Sequence, residues 1–427
     1  MRKLLLTTVI MLFASGLKGQ SLCHVIKQNI RCSAGSGMAY PGSTQLRMTP
    51  PPEGWQPFYI SHYGRYGSRY LDDAASYDEP YRILEAADSL GKLTSLGHAI
   101  LLRLDQIRRD ANDRWGELTE LGEYQQQQVM RRMINRFPSV FAGRATVDAR
   151  SSTTRHCILS MEHAMSTLVM LRPAAELNHN ASQRDMGYLD LTSQQQSALL
   201  PDSAMLDALT VFGQKCQNTG RLMEALFNDA DYVDSHVDVD NLNDGLFLLA
   251  SQLQNTELRK SLTLYDLFTD DEVCCNWKKH NARAYATYSP QARLAAPLLR
   301  KVIAQADSYI WQQKHGAHLR YGSEHVFLPL LFLLDIKGAG ISVSDPDDID
   351  KKGWADFKLC PMAANIQLVF YAPEQSPSRV HRPENILVKV LLNEIEVKLP
   401  LKTMLLPYYH WSDVRDYYLK KLDAYEE

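Results

Sequence analysis

Two arginines separated by three residues lie in a segment with the composition of a phosphate-binding loop. The apolar run 58–60 leads into SHYGRYGSR at 61–69, where Arg65 and Arg69 flank Gly67. Guanidinium groups hold phosphate oxygens through paired hydrogen bonds, and a glycine lets backbone N–H groups approach the same oxygens. The alternative is that both arginines are solvated or form surface ion pairs. The segment by itself allows a phosphate site without requiring one.

Four further segments give this loop a context. They read GELTELGEYQ at 116–125, SSTTRHC at 151–157, YGSEH at 321–325 and PMAANIQ at 361–367. Together with 61–69, and in the same order, they resemble the motifs of the histidine acid phosphatases, beginning with RHGxRxP. The most similar branch is that of the multiple inositol polyphosphate phosphatases. The resemblance runs from about residue 55 to the C-terminus, and ordered motifs are more specific than any single one.

The resemblance implies hydrolysis of phosphomonoesters of the inositol phosphate or phytate class. In that family an imidazole attacks phosphorus and forms a phosphohistidine, while an acid protonates the leaving oxygen. The implied phosphate ligands are Arg65 and Arg69, the implied proton donor is Glu324, and the implied partner is a small phosphate ester such as an inositol polyphosphate. No cofactor or metal is implied, because arginines supply the positive charge.

Three positions depart from the family pattern where its chemistry takes place. Tyr66 stands at the position of the nucleophilic histidine, His156 at that of a third phosphate arginine, with Arg155 one place away, and Ser323 at that of a further histidine. A phenol with a pKa of about 10 is almost wholly protonated at neutral pH, even with arginines nearby, so it is a poor nucleophile. We therefore expect ordinary phosphatase activity to be weakened or lost.

Three interpretations stay open from the sequence. The first is an exported phosphatase in which Tyr66 or a nearby histidine is the nucleophile. The second is a non-catalytic pseudophosphatase that binds a phosphorylated or other anionic ligand, and the third is a structural relic. His325 could supply an imidazole if its segment were shifted by one residue. His62 and His163 are interpreted as structural or surface residues.

The elements that must position these residues follow the order strand, helices, strand. The run 58–60 indicates a buried strand, and helical spacing of apolar residues around 118–137 and 158–168 indicates helices. Later apolar runs at 326–334 and 366–371 indicate strands, as does a hairpin over 386–399 that turns at Asn393 and Glu394. This order predicts an α/β class, with a histidine-phosphatase-like α/β core and an inserted, mostly helical domain.

The predicted division of the chain has five parts. They are a signal peptide (1–20), an irregular N-terminal arm (21–54), the first part of the α/β core (55–170), a helical insertion (171–310) and the second part of the core (311–427).

The first twenty residues have the order of a secretory signal, with basic residues followed by an apolar run and small residues. Their removal takes away three basic residues and no acidic one, so the formal charge changes from −3 to −6. We expect a secreted or periplasmic protein with no membrane segment after cleavage. Export makes disulfides possible, and Cys23 and Cys32 could close a small loop, although spacing cannot establish the pairing.

The composition excludes several classes of protein. The chain has 427 residues, 45% hydrophobic and 22% charged, which is typical of a globular protein. Its mildly acidic balance argues against a nucleic-acid partner. No P-loop, GxGxxG after a strand, GxSxG or HExxH motif occurs, and no CxxC pair suggests zinc. The run 238–245 lacks the oxygen ligands of a calcium loop.

Overall fold

Apolar residues that alternate or run continuously along the strands build a single mixed sheet. The computed structural model describes residues 21–45, 47–216, 219–374 and 382–425, so the predicted signal peptide lies outside the described residues. Within them the strands are Trp55–Arg65 (β1), Thr146–Ser151 (β2), Glu176–Ala181 (β3), Gly316–Gly322 (β4), Asn365–Pro373 (β5), Leu387–Leu392 (β6), Ile395–Val397 (β7) and Tyr408–His410 (β8).

Helices account for most of the remaining described residues. The α-helices are Leu22–Gln28 (α1), Ala75–Ser89 (α2), Ser95–Ala111 (α3), Glu120–Arg136 (α4), Arg155–Leu171 (α5), Met186–Leu189 (α6), Ser193–Ser197 (α7), Ser203–Cys216 (α8), Gly220–Leu226 (α9), Ala230–His236 (α10), Val239–Gln252 (α11), Asp270–Tyr288 (α12), Ala296–Gln312 (α13), Glu324–Leu333 (α14), Pro346–Ile349 (α15), Asp356–Leu359 (α16) and Trp411–Asp423 (α17). Short 3-10 helices occupy Ile30–Gly37, Gln183–Asp185, Leu253–Asn255, Glu257–Lys260, Tyr265–Leu267, Ser289–Ala295 and Pro383–Asn385.

The sheet has the order β3-β2-β4-β1-β5-β6-β7, and β8 also pairs with β6. Strands β3, β2, β4 and β1 are parallel, whereas β5, β6, β7 and β8 add antiparallel pairs. Helices cover both faces: α4 and α5 pack on one apolar layer, and α13, α14 and α17 pack on the other. A sheet buried on both faces needs the near-continuous apolar runs seen in β4 and β5.

A second apolar core lies among helices away from the sheet. It is built from α1, α2, α3, α9, α11 and α12, with Trp277 fully buried at its centre. Helices α2 and α3 precede residue 171, so this core draws on segments from both sides of the predicted domain boundary. The boundaries themselves stay predictions. No helix in the described ranges combines the length and hydropathy needed to cross a membrane.

Local structure differs from expectation at three places. The arm 21–54, expected to be irregular, contains α1 and the 3-10 helix Ile30–Gly37. The run 326–334, expected to be a strand, lies in helix α14, because an apolar run buried on all sides suits a core helix as well as a strand. Cys23 is bonded to Cys274 on α12 and not to Cys32, which stays a buried thiol.

The predicted hairpin is present between β6 and β7. Its two turn residues, Asn393 and Glu394, have φ values of 50° and 64°. Two consecutive left-handed residues match the tight turn that fits the twist of paired strands.

Candidate functional site

The candidate site lies at the carboxyl ends of the parallel strands. Arg65, the last residue of β1, pairs with Gly322 at the end of β4, and Ser151 at the end of β2 pairs with Tyr321. The loops that follow these strands therefore meet at one edge of the sheet, although they are far apart in sequence. Strand β5 begins at the same edge.

The start of α4 holds the arginine loop in place. Thr119 caps α4 by accepting from Gly122 N at 3.2 Å, and its hydroxyl donates to the Ser68 carbonyl at 3.0 Å. Ser68 N donates to Gln125 Oε1 at 2.8 Å. The loop and the helix approach so closely that a Cβ on Gly67 would overlap the backbone of Gly122, and a Cβ on Gly122 would overlap the backbone of Ser68. Thr119, Gly122 and Gln125 of segment 116–125 therefore position the arginine loop on α4.

The helical part of the chain holds the loop from the other side. Ser68 Oγ donates to Asn255 Oδ1 at 2.7 Å, and Gln252 Nε2 donates to the Arg69 carbonyl. Neither amide could be predicted from the sequence, because an isolated Gln or Asn carries no local signal of a long-range contact.

Three charged side chains contact the Tyr66 hydroxyl. It donates to Glu324 Oε2 at 2.7 Å and lies 3.3 Å from both Arg65 Nη2 and Arg69 Nη2, which donate to it. The two guanidinium carbons lie 4.9 and 4.8 Å from the centre of the tyrosine ring. The phenol therefore occupies the place on which both arginines and the carboxylate converge.

All three guanidinium nitrogens of Arg65 contact other protein groups. Its Nε and Nη2 pair with the two oxygens of Glu324, each at 3.1 Å. Its Nη1 donates to the carbonyls of Ser36 at 2.5 Å and Cys360 at 2.8 Å, and Nη2 also reaches Tyr66. The Arg65 side chain is only 2% exposed. Arg65 therefore links Glu324 and Tyr66 to two backbone carbonyls.

Arg69 is more accessible and is paired in a different way. Its Nη1 and Nη2 donate to the two oxygens of Asp72 at 2.7 and 2.9 Å, and Nη1 also donates to the Tyr70 carbonyl. Asp72 is 64% exposed, so this ion pair is in contact with solvent. Asp72, which was not predicted from the sequence, neutralises the charge of a predicted phosphate ligand.

The protonation states follow from burial and the two arginines. Burial raises the pKa of Tyr66 well above its usual value, although Arg65 and Arg69 oppose the rise. Burial acts to raise the pKa of Glu324 too, but Arg65, His325 and Arg69 outweigh it and hold that pKa well below its usual range. At neutral pH the site contains a neutral phenol beside an ionised carboxylate.

His156, which the sequence resemblance places at the position of a third phosphate arginine, adds no positive charge. Its ring packs edge-on against Tyr66 at 4.2 Å between centroids, and its Nδ1 lies 3.2 Å from the Gly116 carbonyl. Burial, followed by Arg69, lowers the pKa of His156 to about 4, so the imidazole is neutral at pH 7. Arg155 is exposed at the first turn of α5.

Ser323, which the sequence resemblance places at the position of a further histidine, has a structural role in this site. It caps α14 by accepting from His325 N at 3.3 Å, and its hydroxyl donates to Asp190. Asp190 also accepts from Leu191 N at 2.9 Å, and burial raises the pKa of its carboxyl. Asp190 is a second carboxylate that the sequence did not single out.

Of the three other histidines considered from the sequence, one lies at the site and two lie elsewhere. His325 faces the cleft, and its Nδ1 lies 2.8 Å from the Tyr288 hydroxyl. His62 is 2% exposed within β1, with its ring beside Tyr321, and burial lowers its pKa to about 3. His163 lies 3.5 Å from Glu123 on the neighbouring helix.

A cleft of about 540 Å³ opens over Tyr66, Arg69 and Glu324. Arg65 lines an adjacent cavity of about 410 Å³ on the other side of Glu324. Apart from its charged floor, the cleft is mostly neutral and polar. Its remaining lining residues are Asp72, Thr153, Thr154, His156, Gln183, Met186, Asp190, Leu191, Thr192, Gln196, Ser323 and His325. Across the described ranges, no three His, Cys, Asp or Glu side chains are grouped to hold a metal ion.

Comparison with known proteins gives similarity in structure but not in sequence. No family model matches the chain, and no curated protein matches it significantly by sequence. The multiple inositol polyphosphate phosphatase of Bifidobacterium longum, in complex with inositol hexasulfate, superposes with a TM-score of 0.73 at 15% identity, covering 90% of this chain and 97% of that one. Its phosphate complex gives 0.72 at 15% identity, covering 91% and 98%.

A second solved structure agrees. The phytase from D. castellii gives a TM-score of 0.63 at 14% identity, covering 92% of this chain and 85% of that one. The mixed sheet, its helical layers and the additional helices therefore have the α/β fold of these two proteins, the histidine acid phosphatase fold expected from the sequence.

Proposed function

We propose that this protein binds a small phosphate ester in the cleft over Arg69 and does not hydrolyse it. One observation carries the proposal: a protonated tyrosine hydroxyl occupies the point on which Arg65, Arg69 and Glu324 converge. The fold is that of phosphatases, while the groups at its catalytic position lack the required protonation states.

These groups support neither nucleophilic attack on phosphorus nor protonation of the leaving oxygen. Attack on phosphorus would require a phenolate, but the pKa of Tyr66 is raised and that of its hydrogen-bond partner Glu324 is lowered. Transfer of the phenol proton to Glu324 is therefore strongly uphill. An ionised Glu324 also has no proton to give to a leaving oxygen.

Binding remains feasible because the arginine contacts with Tyr66 are weak. At 3.3 Å they are at the long end for N–H donors, whereas a phosphate oxygen would form shorter, charge-assisted bonds. Arg65 and Arg69 are already neutralised by Glu324 and Asp72. We therefore propose a ligand with one phosphate group in preference to an inositol polyphosphate.

Export is part of the same proposal. The basic, apolar and small residues of 1–20 have the pattern of a secretory signal. The Cys23–Cys274 bond supports an oxidising compartment, because reducing compartments keep thiols free. A secreted or periplasmic location follows.

Phosphate release tests the loss of catalysis. Purified protein is assayed with an aryl phosphate and with inositol hexakisphosphate between about pH 4 and 8, the range in which such acid–base groups titrate. We expect no release above background. The triple variant Tyr66→His, His156→Arg, Ser323→His is expected to regain release, since it restores the family residues on the same scaffold. Release by the unmodified protein that is lost in His325→Ala would contradict the proposal.

Calorimetric titration with inorganic phosphate and an aryl phosphate analogue tests binding. We expect millimolar or tighter affinity that Arg69→Ala removes. Arg155→Ala is the matched control, because it removes an exposed arginine beside the cleft and should leave affinity unchanged. Inositol hexakisphosphate should bind no more tightly than the monoester. Absence of any phosphate binding would identify the cleft as a structural relic.

A further inference from the structure

Four of the seven cysteines gather at one surface pocket, remote in sequence from the arginine loop. The pocket encloses about 390 Å³, and its lining includes Cys23, Cys216, Cys274 and Cys275. Cys274 is already bonded to Cys23, which joins α1 to α12. Cys32, Cys157 and Cys360 are buried elsewhere.

The other two cysteines of the pocket lie on neighbouring helices. Cys216 is the last residue of α8, and Cys275 follows Cys274 on α12. Helix α8 packs against α12, and both cysteines line the same pocket. The packing therefore brings the two thiols to one space beside the Cys23–Cys274 bond.

Their environment favours reaction, unlike that of the buried thiols. Cys216 and Cys275 are partly exposed, and the pocket is also lined by Lys27 and Lys278. The hydrogen bond from Cys275, assisted by Lys278 against the effect of burial, lowers the pKa of Cys216 to about 7. A substantial fraction is therefore thiolate near neutral pH, and the thiolate is the reactive form.

The pKa values of the three buried thiols are raised instead of lowered. Burial raises the pKa of Cys32 to about 11 and those of Cys157 and Cys360 to about 12. These three should stay protonated and inert. The odd number of cysteines is then accounted for by two pairs and three structural thiols.

We propose that Cys216 and Cys275 are a redox-active thiol pair that closes to a second disulfide, with small-molecule disulfides as the oxidant. The bond ties the end of α8 to α12, beside the Cys23–Cys274 bond. It does not depend on what the cleft binds.

The chemistry is two thiol–disulfide exchanges. The Cys216 thiolate attacks one sulfur of a disulfide RSSR, forms a mixed disulfide and releases RS⁻. The Cys275 thiolate then attacks the Cys216 sulfur, breaks the mixed bond and releases the second RS⁻. The two protons lost by the cysteines end on two RSH molecules, so one disulfide is reduced as one is formed.

Closure would restrain a segment that reaches the cleft. Thr192 and Gln196 line the cleft, and α8 follows this segment after a short connection. Fixing the far end of α8 to α12 limits the movement of this wall. The expected consequence is a less mobile segment, readable as slower proteolysis between residues 192 and 216 in the oxidised protein.

Counting thiols tests the proposal. Protein equilibrated with oxidised glutathione is unfolded in acid, treated with maleimide and weighed by mass spectrometry. We expect three adducts, on Cys32, Cys157 and Cys360. Five adducts, with Cys216 and Cys275 both labelled, would overturn the proposal.

A pairing control distinguishes this bond from an exchange with its neighbour. In Cys275→Ser, we expect the peptides of Cys23 and Cys274 to remain joined while Cys216 carries maleimide or glutathione. If Cys216 is instead joined to Cys274 and Cys23 is free, the assigned pairing is wrong. The double variant Cys216→Ser, Cys275→Ser should again show three adducts and no effect of oxidised glutathione on proteolysis.

Discussion

At the scale of single residues, Tyr66 changes the charge balance of the cleft as well as its chemistry. A phenol brings a proton to Glu324 and two lone pairs to Arg65 and Arg69, so these charged groups share a partner before any ligand binds, although the buried Nε of Arg69 has no hydrogen-bond partner among the described residues. The arrangement is an ion-pair network that is already formed in the absence of a ligand. Its members should therefore contribute measurably to stability.

Tyr66→Phe tests this contribution directly. The phenylalanine ring keeps the contacts with both guanidinium groups and with His156, but Glu324 and the two arginines lose a partner. Leaving buried polar groups without that partner should destabilise the fold by about 1–3 kcal/mol. Urea unfolding at pH 7 measures the change. Unaltered stability would mean that water replaces the hydroxyl without loss.

Glu324→Gln should have a larger effect, because it removes the charge that balances Arg65. Arg65 is 2% and Glu324 17% exposed, and breaking a buried ion pair costs about 3–5 kcal/mol. Asp72→Asn is the matched control at Arg69. Its carboxylate is largely exposed, so the same chemical change should cost about 1 kcal/mol or less. Equal losses in the two variants would contradict this account of Arg65.

At the scale of elements, the site depends on the close packing of the arginine loop on helix α4. Gly67 and Gly122 allow this approach, and Thr119 and Gln125 add hydrogen bonds to Ser68. The loop can then project Tyr66 and Arg69 into the cleft with little freedom. Segment 116–125 therefore positions the site without touching a ligand.

Gly122→Ala should disturb this contact, since its Cβ would overlap the Ser68 carbonyl. Overpacking of this kind costs about 1–3 kcal/mol, and more where backbone must move. Gly213→Ala is the matched control, because Gly213 also lies within a helix but has no atom within 4 Å of its Cβ position. It should stabilise the protein by about 0.5–1 kcal/mol through helix propensity. Thermal unfolding measures the stability of both variants. A change of the same sign in the two would contradict the packing argument.

At the scale of the whole molecule, local signals predicted local features and failed for distant ones. The hairpin at Asn393 and Glu394 was correctly predicted, because two turn residues decide it. The partner of Cys23 was not, since spacing carries no information on a contact 251 residues away. Neither was the helix over 326–334, whose apolar run fits two kinds of buried element.

The candidate site shows the same division. Arg65 and Glu324 could be linked only through ordered motifs resembling a family, and their contact depends on the parallel pairing of β1 with β4. Asp190 could not be foreseen, because nothing in its neighbouring residues indicates that it accepts from Ser323. Asp72 lies only three residues after Arg69, but the sequence does not show whether this carboxylate pairs with the arginine or faces solvent.

Asp356 ties three distant parts of the molecule together. Its carboxylate accepts from Ser36 N of the N-terminal segment at 3.0 Å, from Trp277 Nε1 of the helical core at 3.2 Å, and from Phe357 N at 2.9 Å. Ser36 in turn accepts from Arg65, so this anchor reaches the site. Burial raises the pKa of Asp356 from 3.8 to about 6 in spite of these three donors.

The raised pKa makes stability depend on pH in a defined direction. The folded state binds more protons than the unfolded state between about pH 4 and 6, so this contribution is complete below pH 4 and is lost as pH rises through 6. Relative to Asp356→Asn, which does not titrate, the protein should lose about 3 kcal/mol over that interval. Urea unfolding of both proteins at pH 4, 5, 6 and 7 measures the difference, which should change between pH 4 and 6 and then level off. Parallel pH profiles would show that the pKa of Asp356 is the same in the folded and unfolded states, and that its three donors balance its burial.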